Sequence, residues 1–160
     1  MSIMKQRVNF GAGNTVITIL SISILVAFMF ISNPPLFVQI LLGAILASII
    51  LSGLFYMPIS VCADSNSIKV VRILKTKTIP MGQVKSVKVH LPSMGTVRLC
   101  GSGGFMGFWG WFREKGIGRY FAYYGRAKDC FLVELHDGRK YMLGCNNPRQ
   151  MVEYISTMIR

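Results

Sequence analysis

TVITILSISILVAFMFIS (residues 15–32) and LFVQILLGAILASIILSGLFYM (residues 36–57) decide how this chain is organised. Both lie in a run of 55 residues, from Val8 to Cys62, that contains no Asp, Glu, Lys or Arg. A bilayer core of roughly 30 Å takes about 20 apolar residues in a helix. The second segment meets that length easily and the first meets it narrowly. Asn33-Pro34-Pro35 stands between them. Two prolines remove two backbone donors and bias the residue before them away from helix, so the pair predicts a tight reversal between two spans. Gly43 and Ala47 are four apart, as are Ser48 and Ser52. Small residues at that spacing predict a face that packs on the first helix. Neither segment carries a polar stripe, which argues against buried helices of a soluble protein. A cleaved leader is disfavoured because no A-x-A-like site follows the first segment.

Charge gives the orientation. Lys5 and Arg7 precede the hairpin, Lys69, Arg72, Lys75 and Lys77 follow it, and its own loop is uncharged. The positive-inside rule then predicts both termini in the cytoplasm, with the hairpin anchored in the cytoplasmic membrane. Residues 58–160 hold 16 of the 18 Lys and Arg and all 6 acids, a net charge of +10. Such an excess points to anionic partners. Next to a membrane hairpin the expected partner is anionic lipid. Nucleic acid is disfavoured, since the last helical segment contributes only Arg149 and Arg160.

The rest of the chain reads mainly as strands. Residues 59–63, 68–74 and 77–80 are strand-like, with the basic residues of 68–74 assigned to exposed positions, and Asp64-Ser65-Asn66-Ser67 supplies a turn. Val87, Val89 and Leu91 alternate with Ser86, Lys88 and His90. Residues 119–124 regain strand character, and strands 130–136 and 139–145 flank Asp137-Gly138, a hairpin signal. Asn147 as N-cap, Pro148 at the first position and Gln150 as capping-box partner start a helix. Its apolar stripe is Met151, Val152, Ile155, Met158 and Ile159.

Residues 101–112 read GSGGFMGFWGWF, five glycines and five aromatics in twelve positions. Glycine at this density predicts neither a regular helix nor a strand interior. No phosphate-binding glycine pattern fits. Two placements stay open for the rings Phe105, Phe108, Trp109, Trp111 and Phe112: at a membrane interface, or folded inward over the core. The cations expected to meet lipid phosphates are Arg98, Arg113, Lys115 and Arg119, with Arg126 and Lys128.

Several of these stretches together resemble a known family. Gly103-Gly104-Phe105-Met106-Gly107-Phe108 is followed by Gly118-Arg119-Tyr120-Phe121-Ala122-Tyr123. The hairpin FLVELHDGRKY (residues 131–141) follows, then Asn147-Pro148 and the helix. This order resembles the bacterial pleckstrin-homology (PH) domain family, in its membrane-anchored members with an N-terminal two-helix hairpin. Gly125 and Gly144-Cys145 depart from the family's usual turns. The resemblance implies an α+β chain: a transmembrane helical hairpin, then a PH-like antiparallel barrel or sandwich closed by a C-terminal helix. The expected domains are a basic tail at 1–13, the hairpin at 14–57 and the PH-like unit at 58–160. PH-like folds host lipid binding, peptide binding and self-assembly, and the fold alone does not choose among them.

Catalysis is not expected. The six acids are scattered, and His90 and His136 have no acid or cysteine suggesting a dyad. Cys62, Cys100, Cys130 and Cys145 lack metal-ligand spacing and read as free thiols of a reducing compartment. No cofactor or metal is expected. The leading reading is a non-enzymatic binding or scaffolding module at the inner leaflet, contacting anionic lipid or a membrane-protein partner. The alternative is a homo-oligomer assembled through the Gly/aromatic stretch and exposed strand edges.

Overall fold

A computed structural model describes residues 3–159; Met1, Ser2 and Arg160, the ends of the expected tail and PH-like unit, lie outside the described residues. The two apolar segments are helices, α1 (Ala12–Ile31) and α2 (Leu36–Tyr56). Each has a mean hydropathy of 2.3 and is long and apolar enough to cross a membrane. Asn33 turns the chain at φ 42°, a value that Asn tolerates better than most residues. Gln39 Nε2 then donates to Pro34 O at 3.0 Å, tying the first turn of α2 to the loop. The small-residue face differs from its expected role. A side chain at Gly43 would meet nothing within 4 Å, and Ala47 and Ser48 are exposed. The tightly packed glycine of α2 is Gly53, which is buried under Met106. Close approach is thus made to the domain that follows, and Gly43 has no crowded neighbour that would demand a glycine.

Four antiparallel strands form the first sheet, in the order β1 (Met4–Arg7), β2 (Pro58–Ala63), β3 (Ser67–Arg72) and β4 (Thr76–Pro80). Residues 4–7, expected in a tail, are its edge strand: Met4 faces Ala63 and Arg7 faces Ser60. The Asp64 turn forms as an Asx turn, with Oδ1 accepting from Asn66 N at 2.9 Å and from Ser67 N at 2.7 Å. Its other oxygen accepts from Lys69 Nζ at 2.9 Å. The Lys69 bond, followed by the backbone bonds, pushes the Asp64 carboxyl down to about 2.

The second sheet contains β5 (Val84–Val89), β6 (Val97–Gly104), β7 (Gly107–Glu114), β8 (Gly118–Tyr124), β9 (Cys130–Leu135) and β10 (Lys140–Gly144). Their spatial order is β5-β9-β10-β8-β7-β6, and the β10–β8 pair is parallel while the others are antiparallel. The Gly/aromatic stretch, expected to be irregular, belongs to the β6–β7 hairpin. Its glycines make this possible. Gly101 (φ 113°) and Gly110 (φ 120°) face each other across the pair, and a Cβ on either would strike the opposite backbone. The two strands coil against each other there in a conformation that other residues rarely adopt. Asp137-Gly138 forms its expected turn, with Gly138 at φ 82° and Lys140 opposite Glu134.

Between the sheets and α3 (Pro148–Ser156) lies the main core. Val61, Ile68, Val70 and Ile79 come from the first sheet and Phe131, Val133, Leu135 and Leu143 from the second; Met151 and Ile155 of α3 close it. Alternate residues of the second sheet bury a separate cluster on its other face, comprising Phe112, Tyr120, Ala122, Tyr124, Cys130, Leu132 and Met142. Burial pushes the thiol of Cys130 up strongly and that of Cys145 to about 12. The result is α+β: two N-terminal helices, open sandwich-like sheets and a C-terminal helix.

Helix α3 starts as its sequence predicts, with Asn147 Oδ1 accepting from Gln150 N at 3.3 Å and Pro148 in the first turn. The reciprocal half of the cap comes from elsewhere. Gln6 Oε1 accepts from Asn147 N at 2.8 Å, and Gln6 Nε2 donates to Gln150 Oε1 at 3.2 Å. Strand β1 therefore stitches the chain's beginning to its last helix.

Candidate membrane-facing site

Only Met57 separates α2 from β2, so the helices and the domain meet without a linker. Several contacts fix that junction. Val8 is buried and its N–H donates to Ile59 O at 2.9 Å. Asn14 Nδ2, in the first turn of α1, donates to Gly125 O at 3.3 Å, and Arg126 Nε donates to Phe10 O at 3.1 Å. At the tip of the β6–β7 hairpin, Met106 N donates to Thr18 Oγ1 at 3.1 Å. The same hydroxyl donates to Asn14 O at 2.8 Å. The Met106 side chain lies over Gly53 of α2. The hairpin tip is thus seated on both helices.

An aromatic and cationic group completes the junction. Tyr56, the last residue of α2, stacks on Trp109 with centroids 5.0 Å apart and planes 12° from parallel. The Arg72 guanidinium lies 5.8 Å from the Tyr56 ring and 5.4 Å from the Tyr123 ring. Its charge predicts an exposed strand position for Arg72, but the residue is only 8% exposed. No carboxylate pairs with it among the described residues. Its Nε donates to Lys75 O at 3.1 Å, and the two ring faces supply the negative potential that a buried cation needs. Burial raises the Tyr123 hydroxyl pKa, and the Arg72 charge offsets this only in part.

Strand alternation separates the five candidate rings. Phe108 stacks on Tyr124 at 4.8 Å and Phe112 on Tyr120 at 6.1 Å, both on the face of the second cluster. Trp109 points the other way, to the junction, and Phe105 is half-buried at the hairpin tip. Trp111 is 38% exposed, edge-on to Phe121 at 5.2 Å, with the Arg119 guanidinium 5.4 Å from its ring.

The candidate cations form separate groups. Arg113 faces Arg119 across β7 and β8, and Lys115 occupies the turn between these strands. Glu114, between Arg113 and Lys115 in sequence, turns inward and is 5% exposed. Its carboxylate accepts from Ser93 N at 2.9 Å and lies 3.2 Å from His90 Nε2. Burial alone would raise its pKa, but the Ser93 and His90 hydrogen bonds outweigh burial and hold it below the usual carboxylate range. The outer side of this turn is left cationic. Arg126 and Lys128 stand past the opposite end of β8, where Arg126 is tied to Phe10 just before α1. Arg98 runs along β6 against Gly103. None of these six cations is in an ion pair among the described residues.

The junction residues Asn14, Thr18, Gly53 and Arg72 were not singled out as site residues by the sequence. Thr18 and Gly53 sit inside apolar runs, and nothing in their spacing names the distant residue that each meets. The chemistry on offer is docking and charge attraction. No group of three or more His, Cys, Asp or Glu able to hold a metal occurs among the described residues, and the His90–Glu114 contact anchors the β5–β6 loop at Ser93.

Comparison with curated proteins and with solved structures finds no match in either. The sequence profile described as bacterial PH domain matches residues 59–158, from the second residue of β2 to just beyond α3. By that match over most of its length, and by the two-sheet fold with its closing helix, the chain belongs to the bacterial PH domain family.

Proposed function

We propose that this protein is a non-enzymatic binding module anchored in the bacterial inner membrane by α1 and α2, with both termini cytoplasmic. Its PH-like unit rests on the inner leaflet and contacts anionic lipid headgroups. One observation carries this reading: the domain is seated on the bases of both helices, with Arg126 bonded to Phe10 just before α1, exposed Lys128 two residues further on, and neither cation in an ion pair among the described residues. A cation held near anionic lipid contributes about 1 kcal/mol, and the attraction weakens with salt. Arg113, Lys115 and Arg119 form a second basic surface, at the other end of β8, which suits an acidic partner beyond the headgroup layer.

Hydrogen exchange of the full chain in nanodiscs tests this. Residues 125–129 are expected to exchange more slowly in phosphatidylglycerol-containing discs than in phosphatidylcholine discs, and 0.5 M salt, at a screening length of about 4–5 Å, is expected to erase the difference. Identical exchange in both discs at low salt would contradict it.

A second reading, self-assembly, is favoured by the edge strand β6. Its Val97, Leu99 and Cys100 are exposed with one cation, Arg98, among them, whereas the edge strand β5 carries two, Lys85 and Lys88, beside exposed Val89. Open edges with apolar side chains pair with other strands unless charge prevents it. Leu99→Lys would then lower the oligomeric mass in detergent, and an unchanged mass would dismiss this reading.

A further inference from the structure

Between α1 and the β6–β7 turn lies a crevice of about 370 Å³, lined by Phe10, Thr15, Ile19, Ile22, Met57 and Met106 among others. Its size falls in the range of small-molecule sites, roughly 300–1,000 Å³. The polar side chains on its walls spend their hydrogen bonds within the protein. Thr15 Oγ1 donates to Gly11 O at 3.2 Å and Asn14 Nδ2 to Gly125 O at 3.3 Å. Thr18 Oγ1 donates to Asn14 O and accepts from Met106 N. What remains is an apolar interior in which water would find few partners.

The surroundings indicate the occupant. Val16, Ile17, Ile19 and Leu20 are exposed on α1 at the same level. They belong to a helix fit to cross a membrane, so in a bilayer this mouth opens to hydrocarbon. At the other rim, Phe10 O accepts from Arg126 Nε at 3.1 Å. Exposed Lys128 follows, while Asp129 keeps its Oδ2 buried. An apolar slot open to the bilayer, with cations at its aqueous rim, matches an amphiphile carrying a negative headgroup.

We propose that this crevice holds one acyl chain of an anionic phospholipid, with the headgroup phosphate against Arg126 and Lys128. The inference rests on the leaflet placement proposed above and adds a defined, stoichiometric lipid to it. The test is native mass spectrometry of the delipidated full chain in detergent, supplied with equal dioleoyl phosphatidylglycerol and phosphatidylcholine. The wild type is expected to retain one phosphatidylglycerol. Ile22→Phe, which fills the crevice, is expected to lower that occupancy at least fivefold, and Ile22→Ala, which leaves it open, to retain the lipid. Thr15→Leu, at the exposed rim, gives the same reading as Ile22→Phe if the latter does not fold. Equal retention by wild type and the filled variants overturns the proposal; the leaflet reading would survive if exchange at 125–129 still responded to anionic discs. A halving of particle mass in the filled variants also overturns it, because the occupant would then be a second copy of the chain.

Discussion

The two ends of β7 each carry a tryptophan and do different work. At the end near the helices, Met106 meets Thr18 and Gly53 and Trp109 meets Tyr56, so ring and backbone are spent inside the molecule. At the far end, Trp111, Arg113, Lys115 and Arg119 stay outside, and the one acid among them, Glu114, is turned inward to His90 and Ser93. Aromatic content alone cannot separate these ends, because both carry a tryptophan. Trp109, Trp111 and Arg113 alternate onto the same face of β7, so the separation runs along the strand: Tyr56 at the end of α2 covers Trp109 and leaves Trp111 exposed.

The contrast can be broken most severely where β6 and β7 coil against each other. Gly110→Val places a side chain against Cys100 O at a φ reserved for glycine, and about 4 kcal/mol of stability should be lost. Thermal unfolding in detergent would show it, and an unchanged midpoint would mean that the hairpin is not coiled there. Glu114→Gln should cost about 2 kcal/mol at neutral pH, because a charged acceptor of buried hydrogen bonds is lost. The pH dependence has a definite sign. Glu114 and Asp64 have lowered folded pKa values, so their stabilisation is present above the unfolded values and is lost as pH falls through the folded ones. For Asp64 that window runs from 3.8 down to about 2. Acid titration of Glu114→Gln should therefore lose part of the wild type's acid-induced destabilisation.

Smaller effects sharpen the comparison. Gly53→Val should cost about 1–2 kcal/mol by displacing Met106, and its signature is faster hydrogen exchange at residues 105–107 with little change at 113–119. Gln6→Ala should cost about 1 kcal/mol and fray α3, visible as faster exchange at residues 147–151. Converting Arg113, Lys115 and Arg119 together to Gln should stay within about 0.5 kcal/mol of wild type in thermal stability, while reducing salt-dependent retention of an acidic partner. A large loss of stability there would show that the far end is structural after all.

Which of these features were legible in the sequence follows from the range of the signals. The two apolar helices, the Asp137-Gly138 hairpin and the Asn147-Pro148 start of α3 are written in neighbouring residues. Strand β1 was not legible: Met-Lys-Gln-Arg has no apolar alternation, and its partner lies more than 50 residues away. Glycine counts against a strand in any local scale, yet facing Gly101 and Gly110 are what allow β6 and β7 to pair as they do. Arg72 looked like a surface cation because charge implies solvent. The ring faces of Tyr56, at the end of α2, and Tyr123, on β8, supply a different environment, and only the assembled fold brings them together.

The central claim is that the near end of β7 is seated at the membrane boundary and the far end is not. Full-length Trp111→Phe, which keeps Trp109, and Trp109→Phe, which keeps Trp111, should be compared in vesicles whose lipids are brominated near the headgroup end of the acyl chains. Strong quenching of Trp109 and little quenching of Trp111 is the predicted result. Equal quenching, or stronger quenching of Trp111, would contradict the account.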